Sequence, residues 1–369
     1  MMAARQALRI VAEALQPAAG GPSAAARRQS VRDWTRPLAL ANAHLVSPAM
    51  YASLAGANAL ASIPNDTREY LALLYGLNRD RNRALRRQAI ELLAALNAAG
   101  IYPLLLKGAL SLFGGLYPDV AARMIRDLDI LVPAAQLGDA TRTLGSLGYA
   151  VIARYEAGHN AYGDFARPHD PGAVDVHLEL VETPYLLPAT EVWARAKPKE
   201  AAPGAVFFVP SPSDAALHHL LHAQVHHRAN FYRGVLELRQ LHEFALLIER
   251  CADVDWEAIQ TRLAAHRLDL VLESYALAAQ RLFDCGWPLP QPPSSRAIAQ
   301  CRRGFIRLCW PMLAMIAAPL ANVRSAFAWH RMQHLYAAGS LMGCRLQHAV
   351  QFMRKTAARD AVGRLFRAH

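Results

Sequence analysis

Residues 127–132 read DLDILV, and this segment constrains the fold more than any other stretch of the chain. Its residues alternate with the two-residue period of a β-strand. Leu128, Ile130 and Val132 face a core, while Asp127 and Asp129 share the opposite face. Two like charges on one face of a buried strand repel each other, and both lose hydration. Such a placement requires a compensating cation. Paired carboxylates on a strand end suit hard divalent ions, chiefly Mg²⁺.

Residues with related chemistry flank this segment. VDVHLEL at 174–180 predicts a neighbouring strand with Asp175 between two valines and with His177 and Glu179 on its face. Asp175 supplies the third carboxylate of a two-metal site. LLLKGAL at 104–110 predicts a strand running into a Lys107-Gly108 turn. Glycine lets a backbone approach a phosphate, and the N–H groups that open the next helix favour anions. Lys107 adds a mobile point charge, and Arg123 and Arg126 suit phosphate oxygens. Each residue also has a plain structural reading. The aspartates can be solvated edge charges, Lys107 a snorkelling surface lysine, and the arginines members of helix-face ion pairs. His177 can be a hydrogen-bonded structural histidine, and Glu179 a solvated charge. Together, though, a phosphate-holding turn, a D-x-D strand and a third acidic strand are the parts needed for metal-assisted phosphoryl or nucleotidyl transfer.

The surrounding pattern predicts an α+β fold. A helix is expected from about Thr67 to Ala99, with Leu73, Leu77, Leu85, Ile90, Leu93 and Leu96 at helical spacing and Gly100 as its stop. Strands are expected at 101–106 and 127–132, within YAVIARY, AYGDFAR and AVDVHLEL, and last at 205–210. Ser211 or Ser213 can cap the helices that fill the rest of the chain. The proline-rich segment 286–296 marks the clearest boundary. Four units are expected: an N-terminal helical region (1–100), a mixed-sheet core with flanking helices (101–210), a helical lobe over the cleft (211–290) and a basic helical region (296–369).

The formal net charge is +11, and it is confined to the last of these units. From Arg296 onward there are 12 basic residues and one acidic residue, Asp360, which leaves 28 of each sign in the preceding chain. Trp310, Phe327, Trp329, Tyr336 and Phe352 are interleaved with these arginines. That mixture can grip RNA by phosphate contact and stacking, lie on an anionic membrane, or form a solvated face of a helical bundle. Five cysteines without CxxC spacing argue against a zinc site or disulfide framework and fit a reducing, cytoplasmic compartment. The N-terminus carries Glu13 and lacks the continuous apolar core of a secretory signal. The most apolar stretch, 308–321, has 14 residues and two prolines, too short for a membrane span. His218, His222 and His226 recur at i, i+4 and i+8, either as metal ligands or, with His222 and His226 in the cleft, as part of a helix over the sheet.

Over about residues 90–180, the run LNAAGIYPLLLKGALSL…LYPDVAARMIRDLDILV…LGYAV…VDVHLEL resembles the bacterial uncharacterised nucleotidyltransferase family. That family lies within the DNA polymerase β-type superfamily, and the flanking helices extend the likeness more weakly to about 70–260. The resemblance implies a minimal mixed sheet that binds an NTP and two Mg²⁺, with Mn²⁺ as a substitute. It implies that Asp127 and Asp129 bind metal and triphosphate, and that Asp175 completes the metal site and helps activate the attacking hydroxyl. Gly108 and the turn after it would hold the outer phosphates. Here Ala109 stands where the superfamily usually has Ser or Gly, and Ser111 is the nearest hydroxyl. The expected reaction moves an NMP onto a hydroxyl of RNA (a tRNA end included), of a protein or of a small molecule. The alternative is a non-catalytic nucleotide- or RNA-binding module on the same fold.

Overall fold

The DLDILV alternation builds the middle of a sheet. In the computed structural model, which describes residues 2–16, 21–117, 119–156, 159–226, 229–335 and 343, Leu128 and Ile130 are buried on one face of a central strand. The strands are β1 (Leu104–Leu105), β2 (Asp127–Leu131), β3 (Ala150–Arg154), β4 (Ala161–Ala166), β5 (Ala173–His177), β6 (Lys197–Ala202) and β7 (Ala205–Val209). They form one mixed sheet in the order β3-β4-β5-β2-β1-β7-β6. β2 runs parallel to β5 and antiparallel to β1.

Helices surround this sheet, so the fold is α+β as expected. α1 (Met2–Leu15), α2 (Pro22–Gln29), α3 (Thr35–Ala43), α4 (Ser47–Gly56) and α5 (Asn65–Ala98) precede it. α6 (Lys107–Ser111), α7 (Leu137–Ser146) and α8 (Ala189–Arg195) lie between strands. After β7 come α9 (Pro212–Leu220), a π-helical turn at Leu221–His226, α10 (Asn230–Arg233), α11 (Leu238–Arg250), α12 (Trp256–Ala265) and α13 (Asp269–Phe283). α14 (Ser295–Cys309), α15 (Pro311–Ile316), α16 (Ala318–Ala326) and α17 (Trp329–Leu335) follow. Most of the basic stretch beyond residue 335, with Tyr336 and Phe352, lies outside the described residues.

α5 sets the approach to the site. Leu85, Leu92, Leu93 and Leu96 pack on the sheet, and Gly100 (φ +75°) ends the run as expected. Leu73 and Leu77 do not join that stripe; both are 59% exposed. Besides Thr67 and Leu71, the buried residues in this half are Asn78 and Asn82, whose amides donate to the carbonyls of Val120, Ala121 and Arg123. Arg81 donates to the carbonyls of Ile125, Arg126 and Pro171. Polar side chains of α5 thus fasten the segment that leads into β2, by satisfying carbonyls that no strand partner reaches.

Three local details differ from the pattern or resolve it. The strand expected over 101–106 is ordered as a ladder only at Leu104–Leu105. β6, with sequence KPKEAA, was not expected as a strand; it is an exposed edge strand paired to β7 and carries no apolar alternation. Ser211, not Ser213, caps α9, accepting from the Asp214 N–H, while Ser213 accepts from the Asp255 N–H.

Candidate functional site

The site starts from register. Parallel pairing sets Asp129 of β2 opposite Asp175 of β5, and Leu131 opposite His177. β4 lies antiparallel to β5 and sets Asp164 opposite Asp175. Three adjacent strands therefore bring three carboxylates to one level of the sheet.

Lys107 and His177 compensate the charge. Lys107 Nζ lies 2.7 Å from Asp129 Oδ1. His177 Nε2 lies 3.1 Å from the same oxygen and 2.9 Å from Asp175 Oδ2. The Asn160 amide nitrogen lies 3.2 Å from His177 Nδ1, so in the neutral ring Nδ1 accepts from it and Nε2 carries the proton toward the two carboxylates. Burial raises the Asp129 pKa, but Lys107 and His177 overcome this and hold it well below the usual carboxylate range. Burial and the neighbouring Asp129 push Asp127 upward, against the pull of Lys107. Burial and Lys107 lower the His177 pKa, yet its hydrogen bonds to Asp129 and Asp175 leave it above the ordinary value. Burial also opposes the Lys107 charge, and Asp129 more than restores it.

One oxygen has no such compensation. Asp175 Oδ1 is buried without a hydrogen-bond partner. Single ligand atoms of Asp129, Asp175 and His177 all lie within 4.8 Å of one another, close enough to share one metal ion. An orphaned carboxylate oxygen inside an oxygen-rich, acidic set fits a hard divalent cation. Asp127 is outside that threesome but lines the same cavity.

The cavity has a volume of about 740 Å³ and lies between the sheet and the helices after β7. Lys107, Gly108, Ser111, Arg123, Arg126, Asp127, Asp129 and Asp175 all line it. The structure thus brings together most of the residues singled out from the sequence. Ala109 is instead buried in the sheet core. The expected turn differs in detail: the residue with left-handed backbone is Lys107 (φ +46°), an uncommon conformation for a non-glycine. Gly108 is needed for space, since a Cβ there would sit 2.5 Å from Arg123 Nη1 and 3.0 Å from Ile125 Cγ2.

Arg123 has a partner that sequence spacing did not suggest. Its guanidinium is buried against Glu243 of α11, through Nε to Oε1 and through Nη2 to Oε2 at 3.2 Å. Burial pushes Glu243 up, but Arg123, Arg239 and His219 bring it down to about 2. Glu243 and Arg239 also line the cavity.

The three histidines part company, because the π-helical turn breaks the four-residue spacing. His218 and His222 line the cavity; His226 does not, and its ring faces Thr183 (3.3 Å) and Glu182 (3.9 Å). Burial lowers His218 well below the ordinary histidine range, with Lys107 adding to the effect, and its Nε2 is buried without a partner. Among the described residues the histidines form no metal-ligating group with a carboxylate or thiol, apart from His177. Asn160, Asp164 and Glu243 were not singled out from the sequence. Asp164 in AYGDFAR carried a readable signal, since it alternates with apolar residues on a strand next to VDVHLEL.

No described helix is long and apolar enough to cross a membrane. No curated protein matches the chain. A family model described as "uncharacterised nucleotidyltransferase" matches residues 30–284, which include the acidic strands, α6 and the helices that close the cavity. The chain therefore belongs to this nucleotidyltransferase family.

Proposed function

We propose that the protein moves a nucleoside monophosphate from an NTP to a hydroxyl acceptor and releases pyrophosphate. One observation carries this reading: the buried, unpartnered Asp175 Oδ1 in an acidic cluster that opens on a cavity also lined by Lys107. Asp127, Asp129 and Asp175 would hold two Mg²⁺ ions, or Mn²⁺ in their place. When bound, these ions neutralise charge on the attacking and leaving oxygens.

The remaining steps use the chain's own groups. Lys107 keeps its proton and supplies a point charge to the triphosphate, beside Gly108 and Ser111. Arg126 faces the same cavity and suits phosphate oxygens. Arg123, gripped by Glu243, acts as a positioning residue for the α6 turn, because its guanidinium fills the space over Gly108. Asp175 draws the proton of the acceptor hydroxyl. The acceptor oxygen bonds to the α-phosphorus as the α–β bridging oxygen departs with pyrophosphate. His177 keeps Asp129 and Asp175 oriented, and His222 forms part of the opposite wall. The acceptor is a hydroxyl of RNA, a protein or a small molecule.

The test is transfer of label. Purified protein is incubated with each α-labelled NTP, Mg²⁺ or Mn²⁺, and a cell extract split into RNA, protein and small-molecule fractions. The reading expects label in one fraction, lost in the Asp127→Ala/Asp129→Ala double variant. Labelling by that variant at the wild-type level sinks it. NTP binding without transfer to any fraction favours the non-catalytic module.

A further inference from the structure

Helices α14 to α16 combine exposed apolar side chains with arginine and lack any acidic residue. Met312, Leu313, Met315, Ile316, Leu320 and Val323 are all exposed, Ile316 at 75% and Leu320 at 67%. So many large apolar groups within two short helices exceed what a soluble surface ordinarily carries, and such patches mark interaction sites. From Arg296 to Leu335 there are six arginines and no Asp or Glu.

The arginines are held in place. Arg303 donates to the carbonyls of Phe231 and Tyr232, both at 2.8 Å, and Arg307 donates to the carbonyl of Arg233. Gly234 (φ +60°) makes room for them, because a Cβ there would lie 2.6 Å from Arg303 Nε. Among the described residues no carboxylate pairs with Arg296, Arg303, Arg307 or Arg324. Burial, with Arg307 and Arg324 adding to it, lowers Arg303 to about 10. Arg267, Arg296, Arg303 and Arg324 line a cavity of about 690 Å³ beside Tyr232 and Trp329, against a single acidic lining residue, Asp269. α16 joins the two features, since it carries Leu320, Val323 and Arg324.

The occupant has to cover apolar surface and bring negative charge. A second copy on a two-fold axis would set arginine against arginine. The rest of this chain adds Arg345, Arg354, Lys355, Arg359, Arg364 and Arg367 against Asp360 alone, so its charge also repels. RNA would satisfy the arginines and leave the apolar side chains in water. An anionic bilayer surface satisfies both. We propose that α14–α16 dock the protein on an anionic lipid surface, with Ile316 and Leu320 entering the interface and Arg296 and Arg324 meeting lipid phosphates. This inference is independent of the transfer chemistry.

Flotation of the full chain tests it, with vesicles of phosphatidylcholine alone or with phosphatidylglycerol added. The protein is expected to float with the anionic vesicles, to stay behind with the neutral ones, and to be released by salt. Arg296→Gln and Arg324→Gln should each weaken partitioning about fivefold at low salt. Ile316→Asp/Leu320→Asp should abolish it with an unchanged Tm, both side chains being exposed. Failure of the full chain to float overturns the proposal, as does equal binding to neutral vesicles. A large fall in Tm for the double aspartate variant would mean that the chain itself covers the patch, and overturns it too. So does a dimer that this variant dissociates, or a single-stranded RNA oligomer that binds these arginines while vesicles do not.

Discussion

Two buried ionic clusters line one cavity, and they differ in balance. In the first, the negative charge is fully met: Arg123 engages both oxygens of the deeply buried Glu243, and His219 Nδ1 lies 3.7 Å from Oε2. In the second, ion pairs from Lys107 and His177 reach only Asp129 and Asp175; among the described residues no ion pair holds Asp127, and one Asp175 oxygen has no partner. A balanced buried pair is complete as a piece of structure, and breaking it leaves an orphaned charge. An unbalanced cluster is complete only with something added. The first therefore reads as a clasp between the loop before β2 and α11, and the second as the cluster that the proposed cation and triphosphate would complete.

The largest effect should separate the two clusters. Asp129→Asn or Asp175→Asn is expected to lower nucleotidyl transfer by at least ~10³-fold, read as label transfer per unit time. Asp127→Asn should cost activity similarly yet leave Tm unchanged or higher, because it removes a charge that burial and the neighbouring Asp129 both oppose. A loss of Tm without loss of transfer would reverse the assignment.

Glu243→Ala should act on stability, by about 3–5 kcal/mol in urea unfolding, since it leaves Arg123 buried and unpaired. Arg123→Met/Glu243→Leu should regain most of that loss. If the single variant costs less than about 1 kcal/mol, the clasp is not a stability element.

Titration sharpens the contrast because the signs are opposite. Glu243 is held at about 2, below its unfolded value of ~4.3, so its contribution is present above ~4.3 and lost as pH falls toward 2. His177 is raised, so its contribution is complete below ~6.5 and fades as pH rises through its folded value. Tm against pH in chelator should show an acid limb that Glu243→Gln flattens and an alkaline limb that His177→Gln flattens. The smallest effect is expected at the α9 cap, where Ser211→Ala should cost about 1 kcal/mol in thermal unfolding and leave transfer intact.

Local signals were readable without coordinates. The strand period around Leu128 and Ile130, the glycine stop at Gly100, a serine cap before α9 and the acidic register of VDVHLEL all depend on near neighbours in the chain. The strand KPKEAA was not readable, because its ladder to β7 rests on backbone hydrogen bonds and its side chains are exposed. Leu73 and Leu77 matched a helical stripe, but the surface opposite them is solvent. Asn78, Asn82 and Arg81 hold the loop before β2 through carbonyls some forty residues away, a role that helical spacing alone does not signal.

The sequence by itself determined the acidic trio, the strands that carry it and the lysine beside it, because strand period and charge placement are local properties. Tertiary structure decided which partner each charge takes. Arg123 faces Glu243 at a separation of 120 residues, and Asp164 is level with Asp175 only through the β4–β5 register. His226 leaves the histidine row where the helix widens to a π turn. Pairings of this kind are set by how layers pack, since a buried charge takes whichever opposite charge the fold brings within reach.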